Sequence, residues 1–326
     1  MKKSLFRVSS SMTFNPSFSF ISKYKQQRFI PQDFPHLIMR SIKLKKKMMI
    51  HKSLTHWISL RIIVVALLVS NGFANDKETP GKNCLFIGHS FFIPVSRSFN
   101  AMAKNAGVEG HSQRDVFRGG KNGAPGSLWD HEPSRTKIQS SLDEGNIDLF
   151  GMTLYSSKSS IEDYKKWIDY ALKKNPKVEV FIGIPWGRTS EGGVKRSLAA
   201  YSEGSRAFQS RIHKELILKL RALYPKNKIT CSYYGMASVE LWTMHEAGKM
   251  PGINRVAKSN SVYRDAMGHA GDALLTVAGL VWMNTIYGID IAKVKPPKVD
   301  FKFDYKAAAA KVISLDKKHN PKKAKL

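Results

Sequence analysis

Acidic residues are scarce in this chain. Asp and Glu number 25 against 53 Lys and Arg, giving a formal charge of +28 over 326 residues. Asp33 is the single acid among the first 74 residues, and the stretch from Lys293 to Leu326 is again Lys-rich, so most of the excess sits at the two ends. Nucleic acid is nevertheless a poor fit, because no ladder of interleaved aromatic and basic residues accompanies the charge. Cysteine is nearly missing. Cys84 and Cys231 define no disulfide framework, and each falls in a strand-like apolar run, which favours two buried thiols. Long apolar runs are missing as well: Ile62–Val69 is far short of the roughly 20 residues that a membrane-spanning helix needs. The Gly-rich segment Gly119-Gly-Lys-Asn-Gly-Ala-Pro-Gly126 lacks the Gly-Lys-Ser/Thr ending of a phosphate loop and the spacing of a dinucleotide fingerprint. Histidines 89, 111, 131, 213, 245 and 269 are scattered, and His245-Glu246 has no second histidine at zincin spacing. Neither a cofactor nor a metal is expected.

What is present begins with an address. Met49–Arg61 is a basic lead-in, Ile62–Val69 is an apolar run of signal-peptide length, and Gly72-Phe73-Ala74 supplies small residues at cleavage spacing. Residues 48–74 therefore read as an export signal cleaved after Ala74, which places the mature chain in a secreted or periplasmic setting. Residues 1–47 hold no helical or strand period for long and are expected to be a disordered leader or to lie upstream of the true start. A hydrophobic content of 42% is ordinary globular composition, enough for a sizeable core.

From Lys82 onward, short apolar runs alternate with longer amphipathic segments. Strands are expected at Cys84–Gly88, His111–Phe117 (weaker), Ile147–Met152, Val178–Ile184 and Lys228–Tyr233. Helices are expected from about Pro94 to Asn105, Pro133 to Glu144, Ser160 to Lys174, Ser202 to Tyr224, Met236 to Ala247 and Ala270 to Tyr287, with Arg118–Gly126 a loop. Strand–helix alternation with apolar strands argues for a parallel sheet of about five strands, covered on both faces by helices, over residues 82–290. In open sheets of this kind ligands bind beyond the carboxyl ends of the strands. That selects His89-Ser90, the 118–130 loop, Thr153–Ser157 and Pro185–Arg188. Residues 291–326 read as a Lys-rich tail: an extended segment, a modest helix near Ala307–Ala310 and a disordered end, either solvated or in contact with an anionic surface.

A strand ending in Gly-x-Ser before a helix is a common way for α/β enzymes to present a nucleophilic hydroxyl. Phe86-Ile-Gly-His-Ser90, near the start of the mature chain, resembles the first block of the SGNH (GDSL-like) hydrolases. Arg264-Asp-Ala-Met-Gly-His269, immediately before the last apolar helix, resembles the late block that carries that family's Asp and His. The resemblance covers residues 82–290 in order and spacing. It implies a flavodoxin-like three-layer α/β/α fold, with Ser90 as nucleophile, His269 as base and Asp265 as its orienting acid. Asp265 and His269 are spaced to share one face of a helical turn. For the oxyanion site it implies the Ser90 N–H, Gly120 after the second strand, and a group after the third strand. There Thr153 stands where the family has asparagine, with Asn122 as another source of an amide. Three departures from the family pattern are His89 before the serine, Thr153 for asparagine, and one extra residue between the Asp and the His.

Trp129 and Trp186 fall in loops on the expected catalytic rim, where a tryptophan can stack on a sugar ring or pack as a lid over the core. Arg114, Arg118 and Lys121 could draw an anionic substrate toward it. The functional expectation is a secreted serine esterase or deacetylase that removes a small acyl group from a carbohydrate. The alternative is a non-catalytic carbohydrate- or envelope-binding protein on the same fold.

Overall fold

The computed structural model describes residues 79–155, 159–187, 197–297 and 301–320. The expected leader (1–47), the expected export signal (48–74), Ser157, Arg188 and residues 321–326 lie outside the described residues.

Five strands form an all-parallel sheet in the order β2-β1-β3-β4-β5: β1 Asn83–Gly88, β2 Ser112–Phe117, β3 Leu149–Thr153, β4 Glu179–Gly183 and β5 Ile229–Ser232. The helices are α1 Ile93–Asn105, α2 Pro125–Asp130, α3 Glu132–Asp143, α4 Ile161–Lys174, α5 Leu198–Ile212, α6 Leu218–Leu223, α7 Met236–Glu246, α8 Asp272–Tyr287 and α9 Tyr305–His319. A π-helical turn, His213–Ile217, joins α5 to α6. The chain steps one way from β1 to β2 and the other way from β3 to β5. Right-handed crossovers therefore put α1 on one face and α2, α3 and α4 on the other. Helices α8 and α9 join the α1 layer, which completes a three-layer, flavodoxin-like α/β/α sandwich.

The sheet forms where the sequence is continuously apolar. Cys84, Leu85, Phe86 and Ile87 of β1 are fully buried, as a central strand covered on both faces requires. Phe86 contacts Phe92 and Phe99 of the α1 segment, Phe181 of β4 and Trp282 of α8, with ring centroids 5.3–6.2 Å apart. That aromatic cluster fixes the carboxyl end of β1 and the start of α1, and with them the turn between.

Cys84 and Cys231 are unpaired and buried, in strands separated by β3 and β4, so no disulfide can join them. Burial pushes both thiols up to about 12.

Three features depart from the sequence reading. The Gly-rich loop contains a 3₁₀ turn, Gly120–Gly123, followed directly by α2 with Pro125 in its first turn. A pair of three-residue strands, β6 Asn254–Val256 and β7 Ser261–Tyr263, precedes α8. The Lys-rich end is not simply a solvated terminus over its described part: α9 is longer than the alanine run and packs on α8 and α7, burying Ala308, Ala309, Val312 and Ile313. Asp316 of α9 is fully buried and accepts hydrogen bonds from Ser232 Oγ (2.6 Å), the Tyr233 N–H (2.7 Å) and Thr285 Oγ1 (3.0 Å), tying α9 to the end of β5. Among the described residues no helix is long and apolar enough to cross a membrane.

Candidate active site

Strand order reverses between β1 and β3, which opens a crevice beyond their carboxyl ends. The β1 turn lies there. The His89 carbonyl accepts from the N–H groups of both Phe92 and Ile93 at 3.0 Å, closing a tight turn with Ser90 at its tip. His89 itself is 4% exposed and points inward. The Phe91 N–H donates to its Nδ1 (3.1 Å), so the ring proton sits on Nε2, facing Leu154 O and Thr153 Oγ1, each 3.1 Å away. Burial pushes His89 below the usual imidazole range. It is a neutral brace between β1 and β3 that shapes the serine turn.

Asp265 and His269 come together by a route other than a helical turn. Residues 264–269 form a closed loop: the Arg264 N–H bonds His269 O (2.8 Å), the Gly268 N–H bonds Asp265 O (3.1 Å), and Tyr263 bridges Ala270. Asp265 Oδ1 accepts from the N–H groups of Met267 (3.0 Å) and His269 (3.3 Å), while Oδ2 lies 2.7 Å from His269 Nδ1. Partial burial pushes the Asp265 carboxyl up, but the hydrogen bonds from the His269 ring and backbone, the His269 charge and the Met267 N–H outweigh it. The net position is below the usual carboxylate range. A carboxylate at Nδ1 leaves Nε2 as the acceptor, and Nε2 is 3.0 Å from Ser90 Oγ. Three residues that the sequence could only align by order are thus in one hydrogen-bonded chain, Asp265–His269–Ser90.

The oxyanion expectations divide. The Arg118 N–H donates to Gly88 O (3.1 Å), extending the β1–β2 ladder and bringing Gly119 and Gly120 beside Ser90 in the cleft wall. Gly120 has φ +52°, which favours glycine. A Cβ at Gly123 would lie 2.7 Å from His89 Cβ and 2.8 Å from Gly88 C, so the 3₁₀ turn can press against the serine turn only because glycine stands there. Among the described residues the backbone N–H groups of Ser90, Gly119 and Gly120 have no protein acceptor. Thr153 does not fill the asparagine's place. It is fully buried, its hydroxyl is engaged with His89 Nε2, and it is absent from the cleft wall. Asn122 is exposed and also outside the cleft.

The two tryptophans also separate. Trp129 is on α2, edge-on to Trp167 of α4 at 4.7 Å, and is not in the cleft wall. It is a packing residue, placed there because the presumed loop is helical. Trp186 does line the cleft, but it is 4% exposed, stacked on Phe91 at 4.9 Å, and its Nε1–H donates to Gly268 O (2.8 Å). It therefore ties the end of β4 to the Asp265–His269 loop rather than offering a free stacking face. Phe91, which the sequence did not single out, also sets its ring edge-on to His269 at 5.4 Å. Its aromatic character directly after the serine was the available signal. Arg114 pairs with Glu144 on the surface, away from the cleft; Arg118 and Lys121 are not in its wall either.

The cleft has a volume of about 1060 Å³ and runs from Ser90 and His269 past Trp186 to the α5 face bearing Tyr201, Phe208 and Arg211. Among the described residues no three His, Cys, Asp or Glu side chains are grouped to hold a metal ion.

No family model and no curated protein matches the sequence. Among solved structures, the chain is similar to a DUF4886 family protein from Bacteroides uniformis, with 14% identity and a TM-score of 0.45 over 72% of this chain and 94% of that one. It is also similar to the periplasmic domain of a lipopolysaccharide acetyltransferase from Salmonella ser. Paratyphi A, with 12% identity and a TM-score of 0.32 over 52% of this chain and 71% of that one.

Proposed function

We propose that this chain is an SGNH-type serine esterase or deacetylase that works outside the cytoplasm and removes a small acyl group from a carbohydrate. The observation that carries the reading is the chain of contacts from Asp265 Oδ2 to His269 Nδ1 (2.7 Å) and from His269 Nε2 to Ser90 Oγ (3.0 Å). A serine hydroxyl is a weak nucleophile at neutral pH, and a histidine in hydrogen-bond reach removes its proton as it attacks. In the cycle, Ser90 Oγ adds to the acyl carbonyl while His269 takes the proton, and Asp265 stabilises the imidazolium. Negative charge on the carbonyl oxygen is met by the N–H groups of Ser90 and Gly120. His269 then returns the proton to the departing alkoxide, leaving acyl-Ser90. A water that gives its proton to His269 attacks the acyl carbon, and collapse releases the carboxylic acid and restores Ser90.

One observation favours a second reading. Thr153 is fully buried against His89 and outside the cleft wall, so no side-chain donor from β3 reaches the oxyanion, and a carbohydrate-binding protein without turnover would tolerate that loss. Acetate release from O-acetylated oligosaccharides by the purified protein tests the choice. Turnover that is lost in Ser90→Ala supports the esterase. Saturable glycan affinity without acetate release or hydrolysis of aryl acetates would overturn it in favour of the binder.

A further inference from the structure

The cleft is far larger than an acetyl group and its reacting atoms require, lying at the upper end of the range for small-molecule sites. On the small-acyl esterase reading, the rest of that space is left for the alcohol portion of the ester. Its chemistry is one-sided. Arg211 and Arg264 line it, and no Asp or Glu does among the described residues. Arg264 contacts Asp265 at 3.9 Å, but Arg211 has no carboxylate partner among the described residues. It lies over the Phe208 ring at 5.6 Å instead. Beside it, Gln209 is only 6% exposed, and its Nε2 is buried with no hydrogen-bond partner. A buried amide N–H with no partner among the described residues is rare without a role, and the residue that carries it belongs to the cleft wall.

Helix α5 presents these groups by its period. Tyr201, Gly204, Ser205, Phe208 and Arg211 recur at three- and four-residue intervals, so they share the face turned to the cleft. Gly204 keeps that face low at mid-length: a side chain added there would meet no atom within 4 Å. The π turn that follows at His213 is of a kind often found beside functional sites.

We infer that the α5 face is a subsite for a negatively charged alcohol portion of the ester, with Arg211 pairing with the anion and the Gln209 amide bonding a neighbouring polar group. This names a substrate class for the proposed esterase and rests on that reading for turnover, though not for binding. A guanidinium in a cleft wall that carries no acid among the described residues favours an anion over neutral and cationic counterparts, because those leave it unpaired.

Two measurements test the inference separately from catalysis. The first is calorimetric binding of a uronate oligosaccharide and of its matched uronamide to the Ser90→Ala protein. The carboxylate form is expected to bind at least about tenfold more tightly at low salt, and the preference should vanish in Arg211→Gln. Equal binding of the two forms, absence of binding by either, or a preference untouched by Arg211→Gln would overturn the subsite. A sulfated counterpart shows whether any anion suffices or a carboxylate is required. The second measurement is kinetic, on the O-acetylated forms of the same pair. Arg211→Gln is expected to lower the acidic-to-neutral ratio of kcat/KM about tenfold, through KM. Gly204→Leu is expected to raise KM for the oligosaccharides relative to 4-nitrophenyl acetate. Selective binding without acetate release would sink the esterase reading and leave the subsite standing; acetate release without charge preference would do the reverse.

Discussion

Replacing Thr153 with valine separates the place that sequence alignment gives this residue from the place it occupies. Valine swaps the hydroxyl for a methyl of nearly the same size at a fully buried position. The lost contact is the 3.1 Å approach to His89 Nε2, and that nitrogen keeps Leu154 O, also at 3.1 Å. The net value of one intramolecular hydrogen bond is about 0.5–1.5 kcal/mol. Since the brace is not left unsatisfied, the stability loss should stay near the lower end, about 0.5 kcal/mol. An oxyanion donor would behave differently: removing one typically costs about 10²–10³ in kcat, or about 2.7–4 kcal/mol of transition-state stabilisation. Turnover of 4-nitrophenyl acetate, measured beside chemical denaturation, distinguishes the two. The expected outcome is a kcat within about threefold of the parent, roughly 0.6 kcal/mol of barrier. A drop of about 100-fold or more with stability unchanged would refute the brace and restore Thr153 to the oxyanion site.

Other perturbations probe the remaining parts. Trp186→Phe keeps an aromatic ring against Phe91 but deletes the 2.8 Å bond to Gly268 O. Denaturation midpoints should show a loss of about 1 kcal/mol, and kcat should fall severalfold as the His269 loop loosens; an unchanged kcat would contradict the clamp. Asp265→Asn leaves the ring able to take the wrong tautomer and should lower kcat by about 10³–10⁴ near neutral pH. A loss below tenfold would mean that Asp265 does not orient His269. Asp316 gives a pH dependence of definite sign. Burial raises its folded carboxyl to about 7 from an ordinary 3.8. Between those values the folded state holds a proton that the unfolded state has released, so its contribution declines as pH rises through that window and is flat above it. The stability of the parent relative to Asp316→Asn should therefore fall from pH 4 to pH 7 in denaturation series. A difference that is constant or that grows with pH would show that the carboxyl is not raised.

The sheet was legible because its strands are buried on both faces and read as short apolar runs, Cys84–Ile87 most clearly. The edge strand β2 was the faintest, since Ser112–Phe117 buries only Val116 fully and alternates with polar residues. β6 and β7 are three residues each, too short to show any period. Ser90, Asp265 and His269 could be nominated from their positions next to predicted elements. Their contact could not, because 179 residues separate Ser90 from His269 and only the crossover topology brings them together. Side-chain direction was hidden as well. Thr153 holds the expected place in the chain, but the inward-facing histidine at position 89 claims its hydroxyl. Trp129 looked like a rim residue because Pro and Gly at 125 and 126 suggested a loop, whereas Pro125 in fact begins a helix that turns the indole onto Trp167. The α5 subsite carried no motif; Gln209 and Arg211 became visible only when the helix face was seen to border the cleft.

The central claim is that Ser90 is a nucleophile activated by His269. Incubation of the purified protein with a fluorophosphonate, followed by mass mapping of the adduct, tests it most directly. The account predicts a single stoichiometric phosphonyl adduct on Ser90, absent in Ser90→Ala and strongly slowed in His269→Ala. An unlabelled protein, or labelling that persists at the same rate in Ser90→Ala, would contradict it.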